Sequence, residues 1–215
     1  MNTNLEFKGI IDTIINRFMD IMSIKPFQSD INDFLREQFV KAMDNVEVEL
    51  KPNINFLVDE RQVSFLNDYV FQNLQAHADQ LGNQLRQELQ RGMLNNESPS
   101  ELKQRVKDVF GDNTYSQRLK TVMRTEKLRA NNAGAFSGAE QAVEAGIRLK
   151  KYLHITNDKR TSDICHKEHG KYGTKNQAIP LNVDFEVTVD NKTYKALYPP
   201  FHINCRTVIR FVRED

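Results

Sequence analysis

Gly146-Ile147-Arg148-Leu149-Lys150-Lys151-Tyr152-Leu153-His154-Ile155 is the stretch that decides the fold. Before it, apolar residues recur every three or four positions. Within it, Leu149, Lys151, Leu153 and Ile155 alternate with Lys150, Tyr152 and His154, so the spacing predicts a strand over residues 148–155. Helices therefore come first and strands later, which is an α+β pattern.

Working back from this point, a helix is expected from about Tyr115 to Ala145, stopped by Gly146. Its second half is rich in small residues (Ala130, Ala133, Gly134, Ala135, Gly138, Ala139, Ala142), which permit close approach of another backbone. Ser98-Pro99-Ser100-Glu101 reads as a capping box opening a short helix that ends at Phe110-Gly111. Before that, Val63, Leu66, Val70, Leu74, Ala78, Leu81, Leu85 and Leu89 mark the inner face of a helix over residues 60–91, with Gly92 as its C′ residue. About 30 residues make a rod of roughly 45 Å, a strut or a surface for self-association. Asp30 is the expected N-cap of a helix with stripe Ile31, Phe34, Leu35, Phe39, Val40 and Met43, and Lys51-Pro52-Asn53 breaks it. A first stripe, Phe7 to Met22, predicts a helix over residues 5–24 that Pro26 ends.

Working forward, Phe185, Val187 and Val189 alternate toward Asp190-Asn191-Lys192, and Thr193 to Leu197 return as a hairpin. Val208 to Val212 form a last strand. The expected architecture is an elongated helical N-terminal half followed by a small antiparallel β-sheet packed on the 115–145 helix. The expected domains are a helical extension or interaction region, 1–97, and a second domain, 98–215.

Composition narrows the function classes. No run of 18 apolar residues exists, so no membrane-spanning helix is expected. The first residues lack the basic and apolar regions of a secretory leader. With two cysteines, the expected compartment is a reducing cytoplasm. The net charge of +1 hides an asymmetry: residues 1–100 hold 9 Lys and Arg against 15 Asp and Glu, and residues 101–215 hold 21 against 14. The basic half could face nucleic acid, an acidic protein surface or its own acidic N-terminal half.

Two clusters hold both cysteines and three of the five histidines: Asp158-Lys159-Arg160-Thr161-Ser162-Asp163-Ile164-Cys165, closing at Gly170, and Tyr198-Pro199-Pro200-Phe201-His202-Ile203-Asn204-Cys205-Arg206-Thr207. One reading is zinc: Cys165 and His169 at i, i+4 with His202 and Cys205, and His166 as an alternative ligand. A second is a Cys165 or Cys205 nucleophile with a histidine base, as in a nuclease or transferase that uses Cys165, His202 and Asp158. A third is a Cys165–Cys205 disulfide. A fourth is a polar clamp. Asp158 and Thr161 or Ser162 would cap a short helix that Gly170 ends, and Arg160 and Arg206 would pair with Asp158 or Glu126. Pro199-Pro200 would then set an extended approach to the last strand, and His202 would donate to a carbonyl. A further reading takes Lys150, Lys151, Lys159, Arg160, Lys167 and Lys171, with Tyr152 interleaved, as a phosphate-contacting surface.

The order of three motifs resembles the head-morphogenesis domain of tailed phages, the Mu protein F-like minor head family. The first is Arg124, Thr125, Glu126, Arg129 and Asn132; the second is Asp158, Arg160, Thr161, Ser162, Cys165 and Gly170; the third is Pro199, Pro200, His202, Asn204, Cys205, Arg206 and Thr207. The likeness spans roughly residues 100–212. It implies a minor capsid protein of a phage or prophage, without enzymatic activity, that joins the head at the portal vertex during procapsid assembly. Its implied partners are the portal protein, capsid or scaffold proteins and packaged DNA. Its implied location is the virion, with host cytoplasm during assembly. Some relatives carry a toxin or enzyme domain after the head domain, for which the three residues after Val212 are read as leaving no room. Other relatives have cysteines at the positions of Ser162 and Thr207; if they bind metal there, His169 would have to substitute in this chain.

Overall fold

The computed structural model describes residues 25–214, apart from positions 53, 96, 112 and 113, together with Thr13 and Asn16. The stripe expected between Phe7 and Met22 lies outside the described residues. Helices come first: α1 (Gln28–Leu50), α2 (Glu60–Leu94), α3 (Pro99–Phe110) and α4 (Thr114–Glu144). Then follow β1 (Leu149–His154), α5 (Asp163–Tyr172), β2 (Ile179–Pro180), β3 (Phe185–Val189), β4 (Lys192–Ala196) and β5 (Val208–Arg213). Long helices followed by small antiparallel sheets make the chain α+β, as expected. The strands form two sheets, one ordered β2-β1-β5 and one consisting of the β3–β4 hairpin.

The chain divides into two compact units, residues 1–30 with 68–120, and residues 31–67 with 121–215. In the first, Leu85 and Leu89 of α2 form a cluster with Met93, Leu102 and Val106. All eight inward positions expected along α2 are buried, because a stripe at helical spacing has one face to hide. Gly92 does not end the helix, which runs on to Leu94. A Cβ there would lie 2.4 Å from Leu102 Cδ2, the mobile end of a side chain that packs close over it. The capping box of α3 forms, with Ser98 N–H donating to Glu101 Oε2 at 2.7 Å. Arg105 joins Glu97 to Glu88, the latter at 2.8 Å.

In the second unit, α1 and α4 touch backbone to backbone. A Cβ on Gly134 would lie 2.0 Å from the Phe39 carbonyl oxygen, and one on Gly138 would crowd Met43 and Phe56. The small residues of α4 therefore do what their size permits. The buried face of α1 is Leu35, Gln38, Phe39, Ala42, Met43, Val46 and Leu50. Ile31, Phe34 and Val40, expected on it, are only half-buried, because the line of closest approach runs through Phe39. Asp30 lies in the first turn of α1 instead of capping it. Gln141 satisfies both backbone groups of Leu57, at 2.7 and 2.8 Å, and so fixes the link between α1 and α2 to α4.

β1 pairs antiparallel with β5 over its whole length, Lys151 opposite Phe211 and Leu153 opposite Ile209. Leu149, Lys151, Leu153 and Ile155 are buried, as the alternation predicts. The hairpin turns at Asp190 and Asn191, both in the left-handed region (φ 49° and 60°), which a two-residue turn of this twist requires.

Candidate functional site

The site is the loop from Tyr198 to Thr207, held on one side by α4 and on the other by α5 and the loop before it. On the α4 side, Asn132 is 2% exposed. Its Nδ2 donates to the carbonyls of Pro199 and Thr207 (3.1 and 3.2 Å), and its Oδ1 accepts from Ile209 N–H at 3.0 Å. One amide thus satisfies the start of β5 and the loop before it. Seven residues earlier, Thr125 Oγ1 accepts from Asn204 N–H at 3.0 Å. Asn204 itself is left-handed (φ 61°), a conformation that Asn tolerates better than most residues. The Pro199–Pro200 bond is cis. Glu126, almost fully buried, pairs with Arg129 at 2.8 Å.

On the other side, Asp158 takes Arg206 in a two-point ion pair, Nη1 to Oδ2 at 2.7 Å and Nη2 to Oδ1 at 2.5 Å. Asp158 Oδ1 also accepts from Arg160 N–H at 2.8 Å. The Arg206 guanidinium, then that backbone donor, hold the Asp158 carboxyl well below the usual carboxylate range. Thr161 accepts from Asp158 N–H and donates to the Thr156 carbonyl. Ser162 is the N-cap of α5, its Oγ accepting from Cys165 N–H at 3.3 Å. Gly170 does not end α5. The helix continues to Tyr172 and stops at Gly173, because Tyr172 is buried there with its ring edge-on to Phe185.

Between the two sides the cysteines and one histidine meet. Cys165 Sγ lies 3.0 Å from His202 Nε2 and 3.8 Å from Cys205 Sγ. Ser162 Oγ is 2.8 Å from the same Nε2, and Thr207 Oγ1 donates to Cys165 Sγ at 3.2 Å. The metal-capable atoms of Cys165, His202 and Cys205 all lie within 4.8 Å of one another. Both cysteines are buried and free, in an apolar setting with Ile155, Leu128 and Phe201. Hydrogen bonding between the thiols separates them, pushing Cys165 up and Cys205 down. The contact with Cys165 raises His202. Of the four expected zinc ligands, three are thus together. His169 is not in this group: one turn beyond Cys165, its ring lies over Gly173. His166 is exposed.

The basic run is not one surface. Lys151 is fully buried, so it cannot meet a phosphate; strand alternation puts it on the core face. Lys150 pairs with Glu214 at 2.6 Å, and Lys171 donates to the Glu186 carbonyl at 2.9 Å. Lys159, Arg160 and Lys167 are exposed. Positive charge gathers instead around a cavity of about 470 Å³ whose lining includes Arg124, Lys127, Asn131, Arg160, Asn204 and Arg206. Helical spacing of Arg124, Lys127 and Asn131 was the available signal for it.

Sequence reasoning also missed Glu168. It is fully buried and neither carboxyl oxygen has a partner. Burial pushes its pKa up to about 7. Its spacing from Cys165 and Tyr172 places it on the inner face of α5.

Among the described residues, no helix is long and apolar enough to cross a membrane. No curated protein and no solved structure matches the chain. The phage Mu protein F like family matches over residues 79–210, more than half of the chain, and the match contains all three motifs that build this site. The chain therefore belongs to the phage Mu protein F like family, a family of phage head morphogenesis.

Proposed function

We propose that this chain is a minor head protein of a tailed phage or prophage that joins the procapsid at or near the portal vertex. The observation that carries the reading is the family match over residues 79–210. Its partners are the portal protein and the capsid or scaffold proteins, and α2 offers a surface for self-association. The protein works in the host cytoplasm during assembly and ends in the virion.

The role is structural. Cys165, which touches His202, is 3% exposed, too covered for a thiol that must reach a substrate. Contact with packaged DNA uses the cavity around Arg124, Lys127, Arg160 and Arg206, where several cations face one opening.

The test is made on particles. Deleting the reading frame from an inducible phage is expected to lower the yield of filled heads, and mass spectrometry of wild-type virions is expected to find the chain. Normal particles from the deletion, together with virions that lack the chain, would overturn the assignment. Cross-linking of packaged DNA in intact heads reads the second contact. Adducts on the Arg124–Asn131 segment support it, and their absence beside adducts on other head proteins removes it.

A further inference from the structure

We propose that Cys165, His202 and Cys205 are the protein ligands of a zinc ion that fastens α5 to the loop before β5. Cys165 comes from the first turn of α5, and His202 and Cys205 come from the loop. About forty residues separate them in sequence, so a shared ion closes a long connection.

The geometry fits a tetrahedral site in three respects. Two thiolates bound at about 2.3 Å with a tetrahedral angle between them sit roughly 3.8 Å apart, and Cys165 and Cys205 are 3.8 Å apart. His202 is in the orientation a ligand needs. Its Nδ1 lies 2.7 Å from the Ile203 carbonyl oxygen, which only accepts, so in the neutral ring the proton sits on Nδ1 and the lone pair on Nε2. That lone pair faces Cys165 Sγ at 3.0 Å, with Cys205 Sγ within 4.8 Å, and the carbonyl is the outer partner that commonly fixes a metal-bound imidazole. Third, a cavity of about 10 Å³ lies against Cys165 and His202, with Ser162, Thr207, Arg160 and Arg206 also in its lining and Cys205 outside it, room on the order of one water-sized sphere. Three protein ligands then leave the fourth position to water, with two hydroxyls at its edge.

The donor set selects the metal. Two sulfurs and an imidazole suit zinc, whereas magnesium, calcium and manganese prefer oxygen. Thr207 already donates to Cys165 Sγ at 3.2 Å, an outer contact that stabilises a thiolate. A disulfide would satisfy the two sulfurs but leave the aimed imidazole without a function.

Full-length chain purified without chelator is expected to carry one zinc per molecule. After zinc removal, cobalt(II) should give the visible bands of a tetrahedral thiolate site, saturating at one equivalent, and zinc should displace them. Cys205→Ser is expected to weaken zinc binding by at least about a hundredfold. Ser162→Cys places a fourth sulfur where the hydroxyl lies 2.8 Å from His202 Nε2 and should tighten binding by about tenfold or more. Circular dichroism checks each variant; if Cys205→Ser does not fold, the parent's cobalt spectrum and the Ser162→Cys gain still decide. A folded parent that holds only trace zinc and shows no cobalt bands at equimolar metal overturns the site. So does a Cys165–Cys205 disulfide in chain isolated with its thiols blocked at lysis.

Discussion

A single amide, Asn132, ties the loop of the site to α4. It makes three hydrogen bonds, and its partners lie 67 to 77 residues away in sequence. Leucine has nearly the same size and none of these bonds. Asn132→Leu would leave the Pro199 and Thr207 carbonyls and the Ile209 N–H unpaired in a dry interior, each costing about 1–3 kcal/mol. Relaxation recovers part of this, so a loss of about 3 kcal/mol is expected, read as a lower urea midpoint with an unchanged slope. A midpoint equal to that of the parent would show that the amide is not what holds β5. The Asp158–Arg206 pair differs in kind: both side chains are about a third exposed, so its contribution is geometric, fixing the loop direction by a two-point contact.

Helices α1 and α4 are an element pair set by one residue without a side chain. The ideal Cβ of Gly134 would lie 2.0 Å from Phe39 O and 2.7 Å from Phe39 C, both backbone atoms that cannot swing aside. Alanine favours an isolated helix by roughly 1 kcal/mol over glycine, yet Gly134→Ala is expected to destabilise by at least about 2 kcal/mol, because two helices must move apart. Gly146→Ala is the contrast: its Cβ would meet nothing, and its cost comes only from φ +92°. Thermal unfolding of both variants checks the ranking, and a stabilised Gly134→Ala would refute the close contact. The same elements show how far the sequence could be read. The α2 stripe, the small-residue face of α4 and the alternation of β1 were legible, because each reports a local period and a single buried side. The division into two sheets was not, since β2 is two residues long and its pairing is set by tertiary contacts. The end of α5 was misread at Gly170 because its extension to Tyr172 depends on a ring contact with Phe185. Cys165, His202 and Cys205 were candidates from residue type and spacing. That His169 stands apart from them needed the helix and the loop placed together. Lys151 was pulled two ways, inward by the strand alternation and outward by its charge, and the alternation won; Glu168 was missed because charged residues are rarely buried.

At the scale of the whole molecule, the buried charge on Lys151 sets how folding responds to alkaline pH. Its ammonium donates to the Leu197 carbonyl at 2.7 Å and lies 5.2 and 4.9 Å from the ring centres of Phe136 and Phe185. These contacts, and the more distant carboxylates of Asp184 and Glu140, favour the charged form. Burial outweighs them and brings the pKa from 10.5 down to about 8. The unfolded chain therefore holds the proton that the folded one has released between about pH 8 and 10.5. In that window the unfolded state binds more protons, so stability rises with pH. Below pH 8 both states are charged and the full penalty of burying the ammonium applies. The shift corresponds to about 3 kcal/mol. Lys151→Met keeps the aliphatic length and removes the charge. The stability of the variant minus that of the parent should be flat below about pH 8 and fall by about 3 kcal/mol by pH 10.5. Losing the bond to Leu197 shifts this whole curve by a constant and leaves its slope untouched. Denaturant titrations of both proteins at closely spaced pH values give the difference directly. A curve without slope across this window would mean that Lys151 keeps its charge in the fold, held by the two rings, the carbonyl and the nearby carboxylates.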